Sequence, residues 1–409
     1  MKFKISAPNK SIKGDIQLDG SKSISNRALI LNALSDEEIH LTGLSSSDDT
    51  RVLQAALSST NETIDIGAAG TSMRFLTAFL ASQEGAQKVL TGSVRMKKRP
   101  IGVLVEALQK MGADIQYAAN ENCPPLNIQG RKLSGGKITM PASTSSQFIS
   151  ALLLIAPSLK NGIEIELEGK IVSRPYIQMT VDLLKEFGIS ADFKENILQV
   201  PSHKIKGGNF QVEADWSAAS YYYSIAALSE EAEIRLFGLQ EDSWQGDSKI
   251  QKIGEKIGVA SSWQQDHLLL KKSNNPITNF DFDFLTCPDL AQTVVAAVAA
   301  LNLQCHFTGL ETLAHKETDR IQALKKELAK AEVLIEAKSD QCKTTGNFND
   351  SKAISIETYE DHRMAMAFAP LALQLPGITI EDPMVVTKSY PNYYEDLKRL
   401  GFAIQEIID

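Results

Sequence analysis

At 409 residues the chain exceeds the roughly 250 to 300 at which a single hydrophobic core stops growing, so two domains are expected. A hydrophobic fraction of 43% and a charged fraction of 22% exclude collagen-like, disordered and fibrous classes. The net charge of -8 excludes general attraction to nucleic acid, so an anionic ligand must be held by a local concentration of Lys and Arg.

The opening residues, MKFKISAPNKSIKG, carry no apolar signal core and are too short and Arg-poor for a transit peptide. No apolar stretch reaches the roughly 18 to 20 residues of a bilayer span, and the one at 290–303 carries Gln292. Cys123, Cys287, Cys305 and Cys342 are scattered without a CxxC pair, which argues against zinc and against a disulfide framework. A cytoplasmic protein is expected.

Two kinds of helical segment alternate along the chain. The first opens on small or polar residues and turns apolar around most of its circumference, as in SKSISNRALILNAL from Ser21; such helices are expected to be buried, with their polar openings at an exposed end. The second is amphipathic and stops on Gly or a small residue, as in DDTRVLQAALSS from Asp48. Apolar segments begin at Ser21, Gly70, Ser145, Asp215, Pro288 and Asp361, and amphipathic ones at Asp48, Arg99, Arg174, Gly246, Glu317 and Asn392. Strand-like alternation follows them, as in ADIQYAA from Ala113 and SADFKENILQV from Ser190. The apolar segments recur roughly every 70 to 75 residues after a first interval of about 50, which implies six repeated units, three per domain, in a mixed α/β architecture.

The polar openings are the candidate functional residues, because helix N-termini offer free N–H groups and a positive dipole end to anions. Lys22, Ser23 and Arg27 place two cations and a hydroxyl at one helix start; Ser21 between Gly20 and Lys22 rules out a Walker loop, and a capped helix with a solvated Lys also accounts for them. Gly70 and Thr71 follow a small-residue loop that lets a ligand approach the backbone. Arg99 and Pro100 are expected to open an amphipathic helix with Pro at its first position. Ser145, Ser146 and Gln147 give two hydroxyls and an amide where capping needs one Ser, a set suited to a phosphate and a neighbouring hydroxyl. Residues 316–320, KETDR, head an amphipathic segment and also fit an exposed charged face. Asp361, His362 and Arg363 open an otherwise apolar segment, which a solvated face does not explain. The remaining histidines lack metal-ligand spacing.

Taken together, LDGSKSISNRA, GAAGTSMR, MKKRPIG, SSQF, SRPY, CPDLA, KETDR, YEDHRMAM and TKSYPNYYEDL, in order from Leu18 to Leu397, resemble the motif set of the 5-enolpyruvylshikimate-3-phosphate synthase family. The resemblance implies an α/β (α+β) fold of two inside-out α/β prism domains, each of three repeated units with buried central helices and outer sheets. Residues 1–20 and 214–409 would form a discontinuous domain carrying the base, the acid and the C-terminal phosphoenolpyruvate-binding residues. Residues 21–213 would carry most contacts to shikimate 3-phosphate, with the active site in the cleft.

The reaction implied is transfer of the enolpyruvyl group of phosphoenolpyruvate to the 5-hydroxyl of shikimate 3-phosphate by addition and elimination, in the shikimate pathway of aromatic amino-acid biosynthesis. By the same resemblance Ser145, Ser146 and Ser173 would hold the shikimate phosphate, with Lys22, Ser23, Arg27, Gln147, Tyr176, Asp289 and Lys316 around the ring. Phosphoenolpyruvate would lie against Lys22, Gly70, Arg99, Gln147, Arg320, Arg363 and Lys388. Asp289 would be the base and Glu317 the proton donor, with Lys22 assisting; no metal or cofactor is implied, because Lys and Arg supply the positive charge. A monomer acting on two small molecules, without nucleic acid or membrane, is expected.

The chain departs from the family pattern at Ala68, where Asn is usual, at Phe75, where Pro is frequent, and at Thr312, where Asn is often found. Two other readings stay open: enolpyruvyl transfer to UDP-N-acetylglucosamine, and an anion-binding module without turnover. The reactive-Cys loop typical of the former does not match this chain, and retention of both Asp289 and Glu317 argues against the latter, since anion binding gains nothing from carboxylates.

Overall fold

A segment that is apolar on every side is stable only in the interior, and one with a single apolar stripe lies at its margin. The computed structural model, which describes residues 1–273, 275 and 277–407, follows that division. The chain forms two units, residues 20–212 and residues 1–19 with 213–409. The first holds helices α1 (Lys22–Leu34), α2 (Asp48–Leu57), α3 (Gly70–Ser82), α4 (Gly102–Lys110), α5 (Ser146–Ile155) and α6 (Arg174–Glu186). The second holds α7 (Trp216–Leu228), α8 (Ile250–Lys256), α9 (Ala291–Ala300), α10 (Arg320–Leu328), α11 (His362–Phe368) and α12 (Tyr393–Arg399).

The odd-numbered helices are the apolar segments. Every residue of α7 except Ser217 is buried, as is every residue of α9 and α11. The even-numbered helices are one-sided: α10 buries Ile321, Ala323, Leu324 and Leu328 and turns Lys325 and Lys326 to solvent. Within the first unit α1, α3 and α5 pack on one another, and within the second α7, α9 and α11 do the same, so each core is a bundle of buried helices.

The sheets repeat one pattern. Thr63–Asp65 runs parallel to Gln87–Thr91, the strand after α3, and Leu126–Gln129 and Asp114–Tyr117 extend the sheet antiparallel. The same parallel, antiparallel, antiparallel order recurs in the sheets that contain the strands after α5, α7, α9 and α11. A sixth sheet is only the parallel pair Ile39–Thr42 and Gly208–Gln211. This truncated unit explains the short first interval in the sequence, since α2 is followed directly by the next unit's strand with no hairpin between.

Four helix starts differ from expectation: the segments from Gly246 and Pro288 each open with a 3-10 turn, so that α8 begins at Ile250 and α9 at Ala291, and two others shift as well. Arg99 and Pro100 do not open α4: Arg99 closes a 3-10 turn, Met96–Lys98, and the helix begins at Gly102. The ring of Pro100 disfavours the helical region for the residue before it, and Arg99 is extended, with φ -85° and ψ 125°. The segment from Glu317 becomes helical only at Arg320, where Asp319 caps it by accepting from the Gln322 N–H at 3.1 Å.

Leu152 is completely buried within α5. Replacing it with Ala leaves a cavity among rigid helices and is expected to cost about 2–5 kcal/mol. The check is a lower urea midpoint at unchanged slope.

Candidate active site

The openings of α7, α9 and α11 meet at one arginine. Arg363, in the first turn of α11, is buried, and its Nη2 donates to Asp289 Oδ2 at 2.9 Å and to Ser217 Oγ at 3.3 Å. Its Nη1 reaches the Asp289 carbonyl at 3.3 Å and the Tyr221 hydroxyl at 3.5 Å. Asp289 lies in the 3-10 turn Pro288–Leu290 that leads into α9, and Ser217 and Tyr221 lie on α7. Asp361 caps α11 by accepting from the Arg363 backbone N–H at 2.9 Å.

Arg320, the first residue of α10, is 1% exposed and holds three carboxylates. Its Nε donates to Asp361 Oδ2 at 2.8 Å, Nη1 to Asp289 Oδ1 at 3.0 Å, and Nη2 to Glu317 Oε2 at 3.0 Å. The other Glu317 oxygen takes Lys388 Nζ at 2.8 Å, and Lys316 Nζ stands 3.4 Å from Asp289. Lys316, Arg320, Arg363 and Lys388 thus share the carboxylates of Asp289, Glu317 and Asp361.

Burial alone would push the Asp289 carboxyl up, but Arg363, Lys316 and Arg320 hold it well below the ordinary carboxylate range. Burial would likewise lower the Arg320 guanidinium, and Asp361, Glu317 and Asp289 raise it instead. Asp247 takes the opposite course. It is buried, accepts a hydrogen bond from the Ser217 hydroxyl and has Asp289 nearby; burial first and that second carboxylate raise it to about 7.

The other predicted residues belong to the unit of residues 20–212. Gly20 lets the chain pass close to the 43–44 turn just before α1, since a Cβ there would stand 1.8 Å from the Gly43 carbonyl oxygen. Lys22 opens α1 and pairs with Asp49 at 3.5 Å. Arg27 is buried and spends its donors on the protein: Nε on Thr180 Oγ1 at 2.7 Å, Nη1 on the Ser23 carbonyl at 2.7 Å, and Nη2 on Ser150 Oγ at 3.1 Å and the Tyr176 carbonyl at 3.2 Å. It also lies 5.5 Å from the ring centroid of Phe75, and burial lowers its guanidinium to about 10. Arg27 therefore ties α1, α3, α5 and α6 together, with one Nη1 N–H left over.

Gly70 is the first residue of α3, and a Cβ on it would stand 2.7 Å from Arg99 Nη1 and 3.2 Å from Arg74 Nη1, so the missing side chain makes room for two guanidiniums. Gln147 Nε2 donates to Thr71 Oγ1 at 3.3 Å, which joins the openings of α5 and α3. Ser145 caps α5, Ser146 is its first residue, and Ser173 precedes α6 in a left-handed conformation, φ 55°, without a side-chain capping bond. A non-Gly residue held in that region is strained, a condition that recurs at ligand sites.

Nothing in the sequence marks Asp49, Arg74, Ser217, Tyr221 or Asp247; the first four touch predicted residues, and Asp247 bonds to Ser217 and feels Asp289 electrostatically. Asp361 was singled out by the contrast between its polar opening and its apolar helix, but without a role. Asp247 sits in a segment that reads as an ordinary amphipathic opening. The buried hydroxyl of Thr312 has no hydrogen-bond partner among the described residues. Among the described residues no group of three His, Cys, Asp or Glu is placed to hold a metal ion, and no helix is long and apolar enough to cross a membrane.

Buried helices packed on repeated sheets, with cations and carboxylates at the helix openings, form an arrangement shared with solved structures. The solved EPSP synthase from Acinetobacter baumannii superposes with a TM-score of 0.80 at 23% identity over 100% of both chains. The enolpyruvyl transferase NikO from Streptomyces tendae gives 0.75 at 13% identity, covering 99% of this chain and 98% of its own. The family model for EPSP synthase (3-phosphoshikimate 1-carboxyvinyltransferase) matches residues 6–59 and 52–397. The 3-phosphoshikimate 1-carboxyvinyltransferase of Bacteroides fragilis strain YCH46 is 50% identical over 411 residues, 99% of each chain, and that of Vibrio campbellii is 36% identical over 423 residues, 96% of this chain and 98% of the relative. The chain belongs to the EPSP synthase family.

The raised Asp247 gives a signed pH dependence. A carboxyl near 7 in the folded protein and about 3.9 unfolded favours the fold fully below pH 3.9, and that contribution is lost as pH rises through 7. Asp247→Asn removes the term, so its melting temperature relative to the parent protein is expected to be higher at pH 7.5 than at pH 5. Parallel melting curves at the two pH values check this.

Proposed function

We propose that this chain transfers the enolpyruvyl group of phosphoenolpyruvate to the 5-hydroxyl of shikimate 3-phosphate and that Asp289 and Glu317 move the protons. The activity follows from membership of the family and from full-length similarity to 3-phosphoshikimate 1-carboxyvinyltransferases. One observation carries the assignment of roles: Asp289 and Glu317, from different chain segments, meet the two Nη atoms of one guanidinium at 3.0 Å each. A base and an acid are thereby held a guanidinium's width apart, a spacing suited to a hydroxyl and a methylene on adjacent reacting centres.

In the addition step the substrate hydroxyl oxygen bonds to C2 of phosphoenolpyruvate, its proton passes to Asp289, and the C3 methylene takes a proton from Glu317. In the elimination step C3 returns a proton to Glu317 as the double bond re-forms, the bond from C2 to the phosphate oxygen breaks, and inorganic phosphate leaves with the proton that Asp289 had taken. Arg320, Arg363 and Lys388 would hold the phosphoenolpyruvate anion together with Lys22, Gly70, Arg99 and Gln147. Ser145, Ser146 and Ser173 would take the shikimate phosphate, with Lys22, Ser23, the remaining Arg27 donor, Gln147, Tyr176 and Lys316 around the ring. The reading describes a cytoplasmic monomer with small-molecule partners only.

The cations now neutralise the two carboxylates that do the chemistry. An arriving phosphate or carboxylate competes for the same N–H groups, which makes Asp289 more basic and frees Glu317 to be protonated. Binding and activation are then the same event.

The test is phosphate release from purified protein given phosphoenolpyruvate with shikimate 3-phosphate or with UDP-N-acetylglucosamine. Release with the shikimate ester alone is expected, release with the UDP-sugar alone moves the acceptor, and silence with both favours a binding module. Asp289→Asn is expected to lower kcat by about 10²- to 10⁴-fold. Turnover unchanged in that variant removes Asp289 as the base.

A further inference from the structure

Both ends of α10 are fastened to the segment that leads into α11. At its first residue Arg320 holds Asp361. At its far end Glu327, with no exposed surface, accepts the Tyr359 hydroxyl on Oε1 at 2.6 Å, and on Oε2 it accepts Lys330 Nζ at 2.6 Å and the Glu357 backbone N–H at 3.0 Å. Lys330 Nζ also donates to the Ser355 carbonyl at 2.8 Å, and Lys326 pairs with Glu357 at 3.1 Å and stands 5.1 Å from the centroid of the Tyr359 ring.

Between these fastenings Tyr359 and Glu360 are both left-handed, with φ 55° and 56°, and neither is Gly. Residues with side chains adopt that conformation twice in succession only where the surroundings impose it. The turn they make delivers Asp361 to its capping position, and Arg363 follows two residues later. A fully buried carboxylate is an expensive way to fill space, since an apolar side chain of similar volume does so without the loss of hydration. What Glu327 adds is direction, because two of its three donors belong to the segment entering α11.

We propose that Glu327 and Tyr359 are positioning residues of the active site: they hold the turn at 359–360 in its left-handed form and thereby fix Asp361 and Arg363 against Arg320 and Asp289. Neither touches a reacting group. The inference rests on the functional reading above for the roles of Arg363 and Asp289, but the turn itself can be probed without turnover.

Tyr359→Phe removes the hydroxyl and leaves the ring beside Lys326; Glu327→Gln keeps the shape and removes the charge. Each variant is compared with the parent protein in steady-state kinetics, melting temperature and backbone hydrogen exchange over residues 361–366. Tyr359→Phe, with a melting temperature near that of the parent, is expected to raise KM for phosphoenolpyruvate about tenfold while kcat changes less, and to speed exchange at the start of α11. A merely structural role would lower the active fraction, and hence kcat, at unchanged KM. Unchanged KM or unchanged exchange in Tyr359→Phe overturns the proposal, and if Glu327→Gln does not fold, the tyrosine variant decides alone. A parent protein without turnover sinks the functional reading instead, and exchange then decides whether the turn is held as proposed.

Discussion

A guanidinium with 1% of its surface in water keeps its charge only if anions replace the water it has lost, and Arg320 has three of them. Taking one away strands a buried charge, at a cost of about 3–5 kcal/mol for a typical buried pair. The three carboxylates come from the turn before α9, the turn before α10 and the cap of α11, so a single electrostatic requirement sets the relative positions of three helix openings. Arg363 then closes the arrangement by joining Asp289 to α7 through Ser217 and Tyr221.

The same interaction explains how so many cations can coexist in one buried cluster. Four positive side chains within a few ångströms would repel one another and lower their own affinity for protons, and the carboxylates act as internal counterions. An anion binding at this cluster would therefore exchange for a carboxylate already in place. Its affinity is a difference between two strong sets of hydrogen bonds, and its specificity depends on how well the incoming groups reproduce the bidentate geometry of a carboxylate. A monovalent anion matches only part of what it displaces, whereas a molecule bearing both a phosphate and a carboxylate can engage several cations at once.

Much of the fold is legible in the sequence because it rests on periodicity. The wholly apolar runs from Ser145 and Pro288 leave no polar face, so their burial in α5 and α9 follows directly. Strand pairing is less legible, since Lys2–Ser6 lies between Ile378–Glu381 and Ala403–Ile407, partners that only a completed chain brings to it. The candidate site divides in the same way. Asp361 and Arg363 stand out against the apolar helix they open, but the left-handed pair at Tyr359 and Glu360 has no Gly or Asn to mark it, because tertiary bonds impose it and local preference does not. Asp247 is hidden for a related reason: its environment is made by Asp289 and Ser217, which are distant in sequence.

The two units solve the burial of arginine differently, and the difference bears on what each can bind. Arg27 is surrounded by hydroxyls and carbonyls, neutral acceptors that satisfy its donors without cancelling its charge, and burial accordingly lowers its guanidinium to about 10. Arg320 is surrounded by carboxylates, which cancel the charge and drive its guanidinium upward. The charge of Arg27 is thus met by neutral acceptors, whereas that of Arg320 is largely compensated by carboxylates. An anion approaching Arg320 must therefore compete with carboxylates already in place, whereas one approaching Arg27 competes with neutral hydroxyls and carbonyls, which are the weaker rivals for a guanidinium.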